Sequence, residues 1–184
     1  IYSKLNISFN LKLKQILLNI FLRLSIISNS DKDFYFFNSH YMKDLYLKNL
    51  KEFSNKNFKI CFNPIKNIQT NSAAKHFRKE YPLKFVVVSS LDKYKNIDLL
   101  IKSFLKLLTN HCDSKIVIIG KIQEKEYLDY LLKLIPLKYR ENFIIFNNSI
   151  SSQKLNQIYK ESFLYLSASI CESFGLPAIE AQAF

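Results

Sequence analysis

The chain has 184 residues, 48% of them apolar and 23% charged, and carries 27 lysines and arginines against 15 aspartates and glutamates. That apolar content excludes global disorder, and the length fits one domain or parts of two. The net charge of +12 is uneven, with 14 basic and 5 acidic groups in residues 1–80 but 13 and 10 in residues 81–184. A uniform basic tract for nucleic acid is therefore disfavoured, while the front half suits an anionic surface or a phosphorylated substrate.

The first predicted element is a helix over Leu11–Leu24. The run Ile16–Ile27 is strongly apolar but contains Asn19, Arg23 and Ser25, so it is too short and too polar to cross a bilayer. A buried helix is the preferred reading, and Lys12 and Lys14 would permit peripheral contact with an anionic membrane. Phe34–Phe37 reads as a short buried strand, Tyr41–Leu50 as a helix with Tyr41, Leu45 and Leu50 on one face, and Lys59–Phe62 as a strand stopped by Pro64. From residue 63 to residue 81 the periodicity fades among asparagine, serine, threonine and lysine. Residues 1–62 are expected to be the end of one domain, 63–81 an interdomain connection and 82–184 a second domain.

Beyond Pro82 the pattern is regular. Phe85–Val88 is a β-branched run suited to a central strand. Ile97, Leu100, Ile101, Phe104, Leu105 and Leu108 then trace a helix, with Asn96 at its N-cap and Asp98 and Lys102 spaced to pair. Ile116–Ile119 is the next strand. A helix over Gln123–Ile135 follows, turning Tyr127, Leu128, Leu131, Leu132 and Ile135 inward. Phe143–Phe146 and Phe163–Leu166 are further strands flanking a helix at Gln153–Glu161, and Pro177 starts a last helix.

Alternating strands and helices predict an α/β fold with a parallel sheet covered by helices on both faces. Ligands of such sheets bind outside the carboxyl ends of the strands. This directs attention to Ser89–Asn96, Gly120–Glu124, Asn147–Ser152 and Ser167–Gly175. None carries a dinucleotide fingerprint or a Walker loop, which disfavours nicotinamide and flavin chemistry. The chain's two glycines, Gly120 and Gly175, both fall in these loops, where a missing Cβ permits close approach or an unusual backbone angle. Cys61, Cys112 and Cys171 are too scattered for a zinc cluster or a disulfide framework and suit a reducing cytosol, with Cys171 read as a packing residue. His40, His76 and His111 likewise make no metal site by spacing.

Three pieces in order carry a resemblance. They are Ser90-Leu91-Asp92-Lys93-Tyr94-Lys95-Asn96 before the helix stripe, Ile116-Val117-Ile118-Ile119-Gly120, and Glu172-Ser173-Phe174-Gly175-Leu176-Pro177-Ala178-Ile179-Glu180-Ala181. Together they resemble the donor-binding domain of the retaining glycosyltransferases of group 1, family 4, whose first loop ends in Lys-Asn or Lys-Gly. Residues Phe37–Lys43 and Ile60–Ile65 are similar to the end of that family's first domain. The resemblance implies a GT-B fold, present here as a fragment that alone would be inactive. It also implies a nucleoside diphosphate sugar as donor, a glycan or lipid-linked acceptor, and no metal or other cofactor.

By this resemblance, Glu180 accepts the hydroxyls of the nucleotide ribose, and Glu172 contacts the donor sugar and supports charge at the reacting carbon. Lys95 neutralises the diphosphate as the bond breaks, so Glu172 and Lys95 are the catalytic candidates. Phe174, Gly175, Leu176, Gly120 and Ser90 complete the donor-binding set, with amides near Gly175 and Leu176 facing ligand oxygens. Without their flanking motif, Glu180 would read as a carboxylate at a helix start, Glu172 as a solvated loop residue and Lys95 as a surface lysine. As a bare pair the glutamates would also suggest a glycoside hydrolase. Many relatives have Gly-Arg-Leu where this chain has Ser89-Ser90-Leu91, and serine does not replace a bidentate guanidinium. The expected role is surface polysaccharide or lipopolysaccharide synthesis in the cytoplasm at the inner face of the membrane. An inactive or accessory sugar-nucleotide-binding protein and a basic nucleic-acid-binding module are the alternatives.

Overall fold

A computed structural model describes residues 9–28, 34–64 and 82–184. Residues 65–81, most of the expected interdomain connection and with it His76, lie outside the described residues. The described chain forms two compact units. One holds the residues up to Pro64 together with Glu172–Phe174, and the other holds residues 82–171 and Gly175–Phe184.

The first unit contains α1 (Phe9–Ser28), β1 (Phe34–Phe37), α2 (His40–Asn49) and β2 (Asn57–Ile60). β1 and β2 pair in parallel, Phe34 opposite Asn57 and Phe37 opposite Ile60, with α2 as the connection that parallel pairing requires. Ser39 caps α2, its Oγ accepting the Met42 N–H at 3.1 Å. Ile26, Phe37 and Leu50 form the core, joined by Leu22, Tyr35, Met42, Tyr46, Leu47 and Ile60.

Several expectations for this unit are corrected. The run in α1 is not buried: Ile16, Leu17, Leu18, Ile20, Phe21, Leu24 and Ile27 are all exposed, Phe21 at 73%. Apolar residues on successive positions make a stripe wider than this small core covers, so among the described residues only the Leu22 and Ile26 flank packs. β1 is buried on one face only, since side chains alternate and Phe34 and Phe36 point outward. In α2 the inward pair is Met42 and Tyr46, four apart, while Tyr41 is exposed. β2 lies two residues earlier than expected because the length of β1 sets its end, not Pro64. A last bond from the Cys61 N–H to the Phe37 carbonyl, at 2.8 Å, closes the ladder.

The second unit is a four-stranded parallel sheet in the order β5-β4-β3-β6. Its elements are β3 (Lys84–Val88), α3 (Ile97–Leu108), β4 (Lys115–Ile119), α4 (Lys125–Lys133), β5 (Phe143–Phe146), α5 (Ser152–Glu161), β6 (Leu164–Tyr165) and α6 (Leu176–Gln182). The fold is thus α/β, as the alternation predicts. Phe85, Val87, Ile116 and Ile118 face one side and pack on Ile97, Ile101, Phe104 and Leu108 of α3 and on Tyr127 and Leu131 of α4. Val86, Val117 and Ile119 face the other side and meet Ile158 and Tyr159 of α5 and Ala181 of α6. Burial on both faces explains why these strands read as unbroken apolar runs. Asp98 and Lys102 pair on α3 at 2.9 Å, as their spacing predicts. Leu132, expected inward, is exposed, because the buried line of α4 runs through Tyr127 and Leu131. The fourth strand is shorter than Phe163–Leu166, although the N–H groups of those two residues donate to the Lys84 and Val86 carbonyls at 2.7 and 2.8 Å.

At the end of β4, Gly120 lies against the backbone of the residue that follows β3. A Cβ on Gly120 would stand 1.6 Å from the Ser89 carbonyl oxygen, and a backbone atom cannot swing aside as a side chain could. Replacing Gly120 by alanine is expected to lower unfolding stability by about 3 kcal/mol, read as a reduced urea midpoint with an unchanged m-value.

Candidate functional site

In the second unit the crossovers through α3 and α4 run along one face of the sheet and that through α5 along the other. The chain therefore reverses direction between β3 and β6, and at such a switch point the loops leaving two neighbouring strands diverge into a crevice at the carboxyl edge. The loops that leave β3 and β6 at this edge are Ser89–Asn96 and the segment from Leu166. They are joined directly, the Ile170 N–H donating to the Tyr94 carbonyl at 2.9 Å.

The first loop is held on its other side by the loop after β4. The Leu91 N–H donates to the Lys121 carbonyl at 3.0 Å, and Lys93 Nζ lies 3.2 Å from the Glu124 carboxylate. Leu91 is buried, so it anchors the loop to the core. Ser90 follows Ser89 at the mouth of β3, where its carbonyl accepts the Ser89 Oγ–H at 3.1 Å. Lys93–Lys95 form one turn of 3₁₀-helix, and the half-buried Lys95 places its ammonium 5.0 Å above the Tyr94 ring.

Asn96 stands at the N-cap of α3, but it does not cap. Its φ of 56° and ψ of 39° are left-handed, and its side chain makes no capping bond. The residue turns the backbone from the 3₁₀ turn into α3, a conformation open mainly to glycine, asparagine and aspartate. The sequence identified the position, and the structure corrects the mechanism.

The third component is α6. Gly175 precedes it with a φ of 76°, the second left-handed residue among the described residues. Nothing lies within 4 Å of where its Cβ would be, so the backbone angle alone calls for glycine. Gly120 is the opposite case: close approach calls for glycine there, and the atom approached is the chain's own Ser89 carbonyl rather than a ligand. Pro177 has no N–H, and Ala178 donates its own to the Gly175 carbonyl at 3.0 Å. The amides of Gly175 and Leu176, expected to face ligand oxygens, stand at this helix start. Glu180 lies one turn into α6, half-buried, beside Tyr159 of α5. Burial, and next the charge of Glu180, push the Tyr159 hydroxyl well above its ordinary range.

The structure thus brings Ser90, Lys95, Gly175, Leu176 and Glu180 into one unit, on the elements at its switch point. Gly120 belongs to the β4 side of β3, away from β6. Glu172 and Phe174 pack with the first unit, where Ser39 Oγ donates to the Ser173 carbonyl at 2.9 Å and the Phe174 ring lies 6.1 Å from that of Phe62. Cys171 is only partly covered. No cluster of three or more histidine, cysteine or acidic residues occurs among the described residues. Tyr94 escapes sequence reasoning, because it holds the joining bond through its carbonyl, which no sequence pattern marks.

The family model for glycosyl transferases group 1 matches residues 68–184. The chain belongs to that family. Curated relatives of this glycosyltransferase chain include an uncharacterized glycosyltransferase of Methanocaldococcus jannaschii, 29% identical over 96 residues, and the alpha-monoglucosyldiacylglycerol synthase of Acholeplasma laidlawii, 29% identical over 98 residues. The matches cover 52% and 53% of the chain and 24% of each relative, so the aligned part spans about a quarter of their length. Among solved structures, Staphylococcus aureus TarM in complex with UDP superposes with a TM-score of 0.62 at 23% identity over 80% of this chain and 27% of its own. The pneumococcal O-GlcNAc transferase GtfA, in complex with UDP and GlcNAc, gives 0.59 at 23% identity over 82% and 28%. These likenesses place the chain in the GT-B fold.

The left-handed turn at Asn96 yields a direct check. Asn96→Gly is expected to keep the melting temperature of the glycosyltransferase chain within a degree or two, whereas Asn96→Val should lose about 2 kcal/mol, read by thermal and urea denaturation.

Proposed function

We propose that this chain carries the donor-binding part of a retaining glycosyltransferase, moving a sugar from a nucleoside diphosphate sugar to a glycan or lipid-linked acceptor. The observation that carries the reading is the bond between Ile170 and Tyr94. It ties the turn bearing Lys95 to the segment that leads into the signature and the helix of Glu180, across a switch point of the sheet. A nucleoside diphosphate there would set its ribose hydroxyls on the Glu180 carboxylate and its phosphates near Lys95 and the amides of Gly175 and Leu176. Negative charge grows on the β-phosphate as the glycosidic bond breaks. A fixed ammonium then stabilises the transition state more than the ground state. Departure of the nucleotide and attack of the acceptor hydroxyl from the same face would retain the anomeric configuration, with Glu172 supporting the reacting carbon.

Ser90 and Phe174 would complete the donor site, and Gly120 would support it by keeping β4 close to Ser89. We place the reaction in surface polysaccharide or lipopolysaccharide synthesis, in the cytoplasm at the inner face of the membrane, without a metal or other cofactor. The basic balance of residues 1–80 supports contact with an anionic surface or a pyrophosphate-linked acceptor. The name of the Acholeplasma relative, a monoglucosyldiacylglycerol synthase, accords with a lipid acceptor.

One observation favours a second reading, an accessory protein that binds the donor without turning it over. Where many relatives carry an arginine, this chain has Ser89-Ser90-Leu91, and the backbone of Ser89 and the side chain of Leu91 are committed to Gly120 and the core.

Calorimetric titration of UDP and GDP into the full chain tests the donor site. One of the two is expected to bind, and Glu180→Ala and Lys95→Ala should each weaken it by about tenfold or more in folded protein. Binding of neither by folded protein would defeat the assignment. Salt-sensitive binding of nucleic acid that ignores Glu180→Ala would replace it. Tight binding without turnover of the donor sugar would favour the accessory reading.

A further inference from the structure

The helix α1 has two unlike sides. Its Leu22 and Ile26 flank packs into the core with Phe37 and Leu50. At about 100° per residue, Leu17, Ile20, Phe21, Leu24 and Ile27 fall opposite that flank, within about 120° of arc. All five are exposed, from 48% at Ile20 to 73% at Phe21, and the exposed Ile16 and Leu18 widen the face on either side. A contiguous apolar face of this breadth marks an interaction surface.

The charge of the helix indicates what covers it. No helix among the described residues is long and apolar enough to cross a membrane. The spacing of Leu17, Ile20, Leu24 and Ile27 would suit a seam with a second copy of α1, but Ile16, Leu18 and Phe21 lie outside such a seam. α1 also carries Lys12, Lys14 and Arg23 and no acidic residue, so a second copy would supply no carboxylate to pair them. Arg23 is committed within the unit, to Glu52 at 2.6 Å and the Asn49 carbonyl at 3.4 Å. Residues 1–80 carry the same sign, with 14 basic and 5 acidic groups. A basic helix with a broad apolar face, unable to span, is complementary to the surface of an anionic bilayer.

We propose that the exposed face of α1 is a docking surface for an anionic phospholipid bilayer. Leu17, Phe21, Leu24 and Ile27 enter the boundary between headgroups and acyl chains, and the basic charge of the helix adds attraction to anionic headgroups. The proposal rests on the membrane placing given above and supplies its element and face. It is independent of the residues that would bind the donor.

The test is flotation of the full chain with vesicles of phosphatidylcholine alone, and with phosphatidylglycerol as about a third of the lipid. A thermal melt accompanies each variant. The wild type is expected to float with the anionic vesicles, less so as salt is raised. Lys12→Gln combined with Lys14→Gln should weaken that binding by about tenfold or more. Phe21→Asp combined with Leu24→Asp should weaken it more than tenfold at an unchanged melting temperature. The chain has no tryptophan, so Phe21→Trp puts a single fluorophore on the face. Its emission should shift to the blue on anionic vesicles and be quenched by brominated acyl chains.

Absence of flotation, equal flotation with both vesicles, or an aspartate variant that floats like wild type would each overturn the proposal. A dimer that the two aspartates disperse, without vesicle binding, would overturn it and assign the face to a second copy. Should the aspartate variant not fold, Phe21→Trp emission unmoved by anionic vesicles would overturn it alone. Titration of UDP and GDP into the same protein keeps the two readings apart. Nucleotide binding without vesicle binding defeats only the docking surface, and vesicle binding without nucleotide binding defeats only the donor site.

Discussion

The second unit depends on β3 having a parallel partner on each side, β4 along its whole length and β6 along two residues. Parallel strands cannot be joined by a tight turn, so each pairing imports a helix, and helices from both directions must cover both faces. That requirement generates the double-sided core. It also fixes where the chain reverses its winding, and the reversal opens the edge at which the candidate donor residues collect. Fold and site are in this sense one consequence of where β3 sits.

The asymmetry of the two pairings matters. Against β4 the contact persists past the last ladder residue, through Gly120 on the Ser89 carbonyl and Leu91 on Lys121. Against β6 the ladder is brief, and the chain departs toward Tyr94 and the signature segment. Together the two sides hold a loop that is fixed at its root by Leu91 and again beside Lys95 by the Tyr94 carbonyl. Tyr165 strengthens the diverging side, donating its hydroxyl to the Val88 carbonyl at 3.4 Å.

Much of this was legible in the sequence, and the limits of legibility have physical causes. Buried strands and the α3 stripe declare themselves because burial on both faces, or on one broad face, leaves little freedom in residue type; Phe143–Phe146 falls on its predicted bounds. The first unit was harder to read. The apolar run of α1 says that a surface wants covering without saying what covers it, and only the Leu22 and Ile26 flank is covered by the described residues. In β1, four aromatic residues in a row hide the alternation that leaves Phe34 and Phe36 outside. For the candidate site, the glutamate signature and the Lys-Asn loop stand out in the sequence because their residue types are unusual in that order. The joining bond between the Ile170 N–H and the Tyr94 carbonyl was not, because it is made by main-chain atoms that every residue possesses.

The left-handed geometry at Asn96 bears on how such a loop should be read at all. The loop that this stretch resembles ends in Lys-Asn or Lys-Gly, and asparagine and glycine share no side-chain chemistry. What they share is tolerance of a positive φ. The letter at this position therefore records the sign of a dihedral angle rather than a contact.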